Sequence, residues 1–211
     1  MNAIRSFFDV ITRGRTYRNI AYVWLAFPLG LFYFVFLVTG SALSLGLSLL
    51  WIGVILGLLF ILTVWSFAQF ERLLSTWLLD EPMPLTTTAP ALTFWQTVKA
   101  ILKDWSTWKG ALFLLLKFPI GLFGWVASVT AFALSAAFIV APFADYRGEV
   151  DFGRWIIHDP TGGWLMTLFG LLLLFPTLHL HNAMGALWRL IARTLLEVKN
   201  LGSDLEIQLN A

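Results

Sequence analysis

The stretch Ile20–Leu43, IAYVWLAFPLGLFYFVFLVTGSAL, decides the fold, because it runs for twenty-four residues without a charge. A helix needs about 20 mainly apolar residues to cross the hydrocarbon of a bilayer. Three further runs meet this condition, at about Leu47–Phe70, Ala111–Val140 and Trp164–Leu187. The sequence therefore predicts an all-α integral membrane protein with four transmembrane helices and the lipid bilayer as a partner.

The composition narrows the classes of function. Charged residues make up 12% of the chain, well below the share of an ordinary soluble domain. Cysteine is absent, which excludes disulfides, thiolate metal sites and cysteine nucleophiles. Nucleophile motifs, phosphate-binding glycine loops and paired acid and base residues are also missing from the sequence. We therefore predict no enzyme, no metal and no cofactor, and the basic residues flank membrane segments rather than indicating nucleic-acid binding.

The basic residues predict the orientation. Lysine and arginine accumulate in segments 1–19 and 71–110 and after the fourth apolar run, whereas segment 142–163 holds two arginines against four acidic residues. Cytoplasmic loops of membrane proteins carry an excess of lysine and arginine. We expect a multi-pass protein of the cell (inner or plasma) membrane, with the N- and C-termini cytoplasmic and 142–163 outside.

The decisive stretch recurs within the chain. At a shift of 91 residues, Phe27-Pro28-Leu29-Gly30-Leu31-Phe32 falls on Phe118-Pro119-Ile120-Gly121-Leu122-Phe123. Thirteen of the twenty-nine positions from 16 to 44 are identical to their counterparts. Such a repeat predicts a duplicated two-helix hairpin, with both copies in the same orientation and related by a pseudo-two-fold axis along the membrane normal.

The second helices of the two copies match at a shift of 117, where Arg72-Leu73 falls on Arg189-Leu190. The first hairpin is expected to close with a tight turn near Gly40–Gly46, and three prolines make the connector between the copies extended. We predict a single membrane domain, 1–211, composed of repeat 1 at about 16–79, a linker at 80–93, and repeat 2 at about 94–197 with an outer loop at 142–163.

Amphipathic stretches flank the spans. In 94–105 the apolar residues recur at helical spacing with Lys99 and Lys103 opposite, and segments 4–13 and 67–77 repeat the pattern. These stretches either form interfacial helices at the headgroup level or continue the membrane helices and pack on each other.

The Pro-x-Gly pairs, Pro28 with Gly30 and Pro119 with Gly121, have a physical role in each repeat. Proline removes a backbone hydrogen bond and bends a helix, and glycine lets a second helix approach closely. We interpret these pairs as packing and kink positions, with a hinge that transmits motion as the alternative.

A family resemblance follows from these motifs. The Thr16-Tyr17-Arg18 start, the run from Phe27 to Phe34, the Glu71-Arg72-Leu73-Leu74 exit and the second copy from Thr107 to Leu196 resemble the Putative sensor domain family of prokaryotic membrane proteins. The resemblance covers about 14–197 and implies the membrane fold. In that family the domain commonly precedes histidine kinases or stands beside regulatory domains. Here no kinase, dimerisation helix or DNA-binding domain follows Leu196, and we expect a stand-alone sensor chain.

Three ionisable side chains lie within the predicted spans, and such residues are functional candidates by default. Lys117, beside Pro119, either snorkels to the headgroups, which we favour, or pairs with an acidic group or anionic lipid in the bundle. His179 and His181 are interpreted as structural or headgroup-level residues, with haem or metal ligation as the alternative. Their i, i+2 spacing places them on different helix faces, which disfavours one shared ion.

The outer loop interleaves charged and aromatic residues, and it is the main asymmetry between the copies. It can be merely solvated, can bind a cation or respond to pH, or can contact the membrane or a partner. Its candidate recognition residues are Asp145, Arg147, Asp151, Trp155, His158 and Asp159. Their spacing does not match a calcium loop.

Three functions remain open. The first is a non-enzymatic sensory or regulatory module that signals to a separate protein partner in the membrane or cytoplasm. The second is an accessory subunit of a transporter or electron-transfer assembly. The third, a small transporter, ranks last because the predicted membrane interior lacks the acidic groups that coupled transport uses. A homo-oligomer is compatible with each of them.

Overall fold

The computed structural model describes residues 9–85, 94–144, 150–151, 156–157 and 160–197. Within this part of the chain the α-helices are α1 (Gly14–Gly46), α2 (Ile52–Leu79), α3 (Phe94–Lys103), α4 (Trp105–Ala144) and α5 (Pro160–Leu196). Helices α1, α2, α4 and α5 are long and apolar enough to cross a membrane. The predicted all-α membrane fold with four candidate spans is therefore confirmed.

The helices extend beyond the predicted spans. Helix α2 has 28 residues, or about 42 Å at 1.5 Å per residue, against about 30 Å of hydrocarbon. It continues past Phe70 to Leu79, and Asp80 then adopts a left-handed conformation with φ 55°. Segment 67–77 therefore continues the second helix, which is the second of the two alternatives given for it. As a consequence, Glu71 and Arg72 belong to the helix rather than to an exit segment.

The connectors also differ in detail from the prediction. Helix α1 continues through Gly46, so the first turn lies at 47–51 rather than at Gly40–Gly46, and it contains the 3-10 helix Ser48–Leu50. Between α4 and α5, the strands β1 (Val150–Asp151) and β2 (Ile156–Ile157) pair antiparallel, with Val150 opposite Ile157. The connection between these two spans is therefore 145–159, shorter than predicted.

The chain divides into two compact units, and it passes between them inside helices. Unit 1 comprises 1–27 and 120–186, and unit 2 comprises 28–119 and 187–211. In unit 1 the buried residues include Tyr22, Val23 and Ala26. In unit 2 they include Phe113, Leu114 and Trp188.

Each unit contains a glycine packed directly on a neighbouring helix. In unit 2, a Cβ added to Gly30 would lie 2.7 Å from the carbonyl carbon of Lys117. In unit 1, a Cβ added to Gly121 would lie 2.8 Å from the carbonyl carbon of Ala26. Ala26 and Lys117 are counterparts at the shift of 91, so equivalent positions make the same contact in both units.

Further contacts follow the same correspondence. The rings of Phe34 and Phe118 lie 4.8 Å apart in unit 2, and those of Trp125 and Phe27, their counterparts, lie 5.3 Å apart in unit 1. Gly110 packs on Ala68 in unit 2. Their counterparts in unit 1, Asn19 and Gly185, also touch. Close approach at small residues is the usual way in which membrane helices associate.

Candidate functional site: a buried polar cluster in each unit

Unit 2 buries an ion pair that joins three helices. Glu71 of α2 and Lys117 of α4 are both 0% exposed, and the Lys117 ammonium donates to Oε2 of Glu71. The Tyr33 hydroxyl of α1, which is 2% exposed, donates to Oε1 of the same carboxylate over 2.8 Å. Each oxygen of Glu71 therefore has a donor, and α1, α2 and α4 meet at a single carboxylate.

Two aromatic rings lie close to the lysine of this pair. The Lys117 ammonium lies 5.8 Å from the ring centroid of Phe113 and 5.8 Å from that of Trp188, within the range of cation–π attraction. Removing two charges from water still costs several kcal/mol for each ion. At the repeat shifts of 91 and 117, the counterparts of Lys117 and Glu71 are Ala26 and Trp188. Neither counterpart is charged, so the ion pair is not repeated and the hairpin pattern does not require it.

Two sequence-based expectations are wrong at this site. Lys117 does not snorkel to the headgroups, because its side chain is fully buried on Glu71, the alternative considered for it. The membrane helices also do not lack an acidic group, because Glu71 lies inside α2. From the sequence, the helical pattern of 67–77 is interpreted by its apolar face. Glu71 lies on a different face together with Ala68 and Ser75, and it is this second face that is buried.

Arg72, next to Glu71, ties helix ends together in the same unit. It is 1% exposed. Its Nε donates to the carbonyl of Leu196 over 3.0 Å, and a terminal nitrogen donates to the Ser106 hydroxyl over 2.9 Å. A cation at the C-terminus of a helix satisfies a free carbonyl and suits the helix dipole. Arg72 thereby links α2 to the start of α4 and the end of α5.

Unit 1 has an uncharged polar cluster around His181. This residue is 0% exposed, and its Nδ1 lies 2.7 Å from the carbonyl oxygen of Thr177. A carbonyl can only accept, so Nδ1 carries the proton and Nε2 of the neutral ring accepts from the Ser128 hydroxyl. The Trp24 indole completes the chain by donating to Ser128 over 2.8 Å.

This arrangement bears on the two histidines proposed as ligands. Both ring nitrogens of His181 are engaged, so the structure leaves no lone pair for a metal or haem iron. His179 is partly buried. Across the described residues, no group of three or more histidine, aspartate or glutamate side chains could hold a metal ion. A Soret band in the purified protein would overturn this structural interpretation of His181.

A second polar contact in unit 1 was not anticipated from the sequence. The Asn19 side chain donates to Asn182 over 2.7 Å, and Asn182 donates to the Thr16 hydroxyl over 3.1 Å. Asn182 directly follows the His-Leu-His run, but nothing local marks Asn19 as its partner 163 residues away.

An open cavity of about 340 Å³ lies between α4 and α5 in unit 1. Its lining is mostly apolar, with two hydroxyls that each donate to a carbonyl of their own helix, from Ser135 to Ala131 and from Thr177 to Leu173. Such walls suit hydrocarbon rather than a charged ligand.

The proposed outer-loop recognition residues lie largely outside the described residues. This holds for Asp145, Arg147, Trp155, His158 and Asp159, whereas Asp151 is described as a backbone position in β1. Their role in recognition stays a prediction.

A family model described as "Putative sensor" matches residues 22–196, which is most of the chain and includes both buried clusters except Thr16 and Asn19. No curated protein and no solved structure matches the chain.

Proposed function

The chain belongs to the Putative sensor family, and from that premise we propose that it is a non-enzymatic membrane sensory module that passes a cue to a separate protein. The observation that carries the proposal is the buried Tyr33–Glu71–Lys117 cluster. Its charges are costly in a membrane helix and the hairpin does not need them. In some proteins a buried polar or ionic group specifies one helix arrangement among several, and this is the role we propose for the cluster here.

The geometry supports coupling between helices. The cluster joins α1, α2 and α4 through a single carboxylate. A cue that separates Glu71 from Lys117 would leave a buried charge without its partner, which favours a different packing of these helices. The neighbouring Arg72 holds the Leu196 carbonyl at the end of α5. Because Arg72 is adjacent to Glu71 in α2, we propose that a movement of Glu71 also alters the contact of Arg72 with the end of α5. We predict this helix end to be cytoplasmic.

The test is capture of the partner from native membranes by the full-length, tagged chain. The wild type is compared with Glu71→Gln and Lys117→Met, and with Glu81→Gln as the matched control, because Glu81 forms an ion pair with Arg193, whose side chain is 63% exposed. We expect a regulatory protein to be retained with the wild type and with Glu81→Gln. Glu71→Gln and Lys117→Met should change its capture or its activity severalfold while eluting as folded protein in detergent.

Other outcomes would contradict the sensory role. Retention of a transporter or electron-transfer complex at fixed stoichiometry, unaffected by Glu71→Gln, would identify an accessory subunit. The absence of any reproducibly retained protein would also count against signalling to a separate partner.

A small transporter is the second candidate, because the objection raised against it from the sequence does not hold. Glu71 is fully buried within the candidate span Ile52–Leu79 and is paired with a lysine. Carboxylates inside membrane helices mark ion and proton pathways in transporters. Proton flux into proteoliposomes that contain the wild type, lost in Glu71→Gln and retained in Glu81→Gln, would favour transport over sensing.

A further inference from the structure

Helix α3 presents an exposed stripe of one tryptophan and two lysines. Trp95, Lys99 and Lys103 follow one another at intervals of four residues, which places them within about 80° of each other on one helix face. Trp95 is 58% exposed, and both lysines are exposed. We refer to these three residues as the basic stripe.

The apolar face of α3 is already occupied. Val98 and Ile101 are 2% and 3% exposed, and α3 packs against α2 within unit 2. An isolated amphipathic helix would place that face in the membrane. Here it is buried in protein, so the basic stripe is the part of α3 that meets the surroundings.

Two acidic residues of the same unit, Asp104 and Glu81, have partners other than the lysines of the stripe. Asp104 accepts the backbone N–H of Ser106 over 2.9 Å and so caps α4. Glu81 is paired with Arg193. In the part of the chain that the structure describes, neither Lys99 nor Lys103 has an acidic partner within ion-pair distance.

Two further exposed tryptophans belong to the same unit. Trp105 at the start of α4 is 70% exposed, and Trp77 near the end of α2 is 66% exposed. Tryptophan is enriched where a membrane protein crosses the headgroup region. Exposed indoles together with lysines of one charge sign complement an anionic lipid surface, since each basic residue near such a surface adds attraction.

We propose that the basic stripe is a binding surface for anionic phospholipid headgroups. The indole of Trp95 would lie at the boundary of headgroup and acyl chain, and the Lys99 and Lys103 ammonium groups would contact the phosphates. The corner after the stripe is fixed to the rest of the unit, because Trp108 donates to the Leu102 carbonyl over 3.1 Å and Ser106 accepts from Arg72. Lipid binding at α3 would therefore be connected to Arg72. The binding itself does not depend on the proposed sensory function.

The experiment uses the full chain in a nonionic detergent. Because the sequence contains no cysteine, Ala100→Cys on the exposed side of α3 takes a single polarity-sensitive fluorophore. Short-chain phosphatidylglycerol is titrated against phosphatidylcholine of the same chain length. Leu45→Cys carries the same fluorophore as a control for general lipid effects. Leu45 is 74% exposed and lies near the C-terminal end of α1.

We expect the label at position 100 to respond to phosphatidylglycerol with saturation, and the label at position 45 to respond equally to both lipids. Lys99→Gln with Lys103→Gln should weaken phosphatidylglycerol binding about thirtyfold at low salt, whereas Lys99→Arg with Lys103→Arg should retain it. High salt should weaken binding to the wild type. Both double variants alter exposed residues, so unchanged elution in detergent shows that they remain folded.

Two results would overturn the proposal. One is equal affinity for the two lipids at position 100, and the other is an unchanged affinity in the glutamine double variant. A response to an acidic peptide but not to phosphatidylglycerol would instead assign the stripe to a protein partner.

Discussion

Glu71 and Lys117 show how much a single buried pair constrains this protein. Both are fully buried, and Glu71 also accepts a hydrogen bond from the Tyr33 hydroxyl. Removing one member of a buried pair leaves an uncompensated charge in a medium of low polarity, whereas removing both also removes that penalty. The two residues are therefore expected to be strongly coupled.

The first prediction is a double-mutant cycle on this pair. Glu71→Gln or Lys117→Met alone should lower the free energy of unfolding by about 3–5 kcal/mol. The double variant should lose clearly less than the sum of the two, because the unpaired charge is gone. Denaturation in mixed detergent micelles measures the three values. Strictly additive losses of stability would show that the two residues do not interact. The control variant Glu81→Gln should change the free energy of unfolding little.

The second prediction concerns the chain of hydrogen bonds from Trp24 through Ser128 to His181. Ser128→Ala removes the shared partner. It leaves the ring nitrogen of the buried His181 without its donor, and the indole N–H of Trp24, a side chain that is 43% exposed, without its acceptor. The loss of stability should be about 1–3 kcal/mol. Ser44→Ala is the control, because the Ser44 hydroxyl donates to the Gly40 carbonyl of its own helix over 2.7 Å. Equal losses of stability in the two variants would show that the hydrogen bonds linking Trp24, Ser128 and His181 have no special contribution.

At the scale of elements, the Pro-x-Gly pairs gain a specific role. Gly30 and Gly121 each touch the backbone of the partner helix rather than a flexible side chain. A backbone cannot move aside without shifting its whole helix, so the packing interpretation of these glycines has a direct geometric basis. The kink assigned to Pro28 and Pro119 stays a prediction.

The third prediction follows from those contacts. Gly30→Ala and Gly121→Ala should each destabilise the protein by about 1–3 kcal/mol, because the added methyl overlaps backbone atoms. Gly14→Ala should be neutral or slightly stabilising, since nothing lies within 4 Å of its added Cβ and alanine favours the helix. Thermal unfolding in detergent compares the three variants. A loss at Gly14 as large as at Gly30 would point to a general intolerance of these helices and not to the contact.

At the scale of the whole molecule, the distribution of lysine and arginine predicts on which side of the membrane the termini and loops lie. The family and the four apolar helices establish a membrane protein. The direction of insertion rests on the lysine and arginine distribution.

The fourth prediction tests this topology. Alkaline phosphatase fused after Ala211 should be inactive, and a fluorescent protein fused there should fold, because we place the C-terminus in the cytoplasm. Phosphatase inserted into the 145–159 connection should be active, because that loop is placed outside. Activity of the C-terminal phosphatase fusion would reverse the assigned orientation.

The sequence by itself determined the number of spans, because a run of apolar residues long enough to cross a bilayer is a local property. It also predicted the duplication, from identities at the shift of 91, and marked Lys117 and His181 as unusual residues. The tertiary structure decided what those residues touch. Glu71 and Lys117 are 46 positions apart and Trp24 and Ser128 are 104 apart. Their meeting depends on where each helix ends and how it is rotated about its axis, and both are set by packing against other helices.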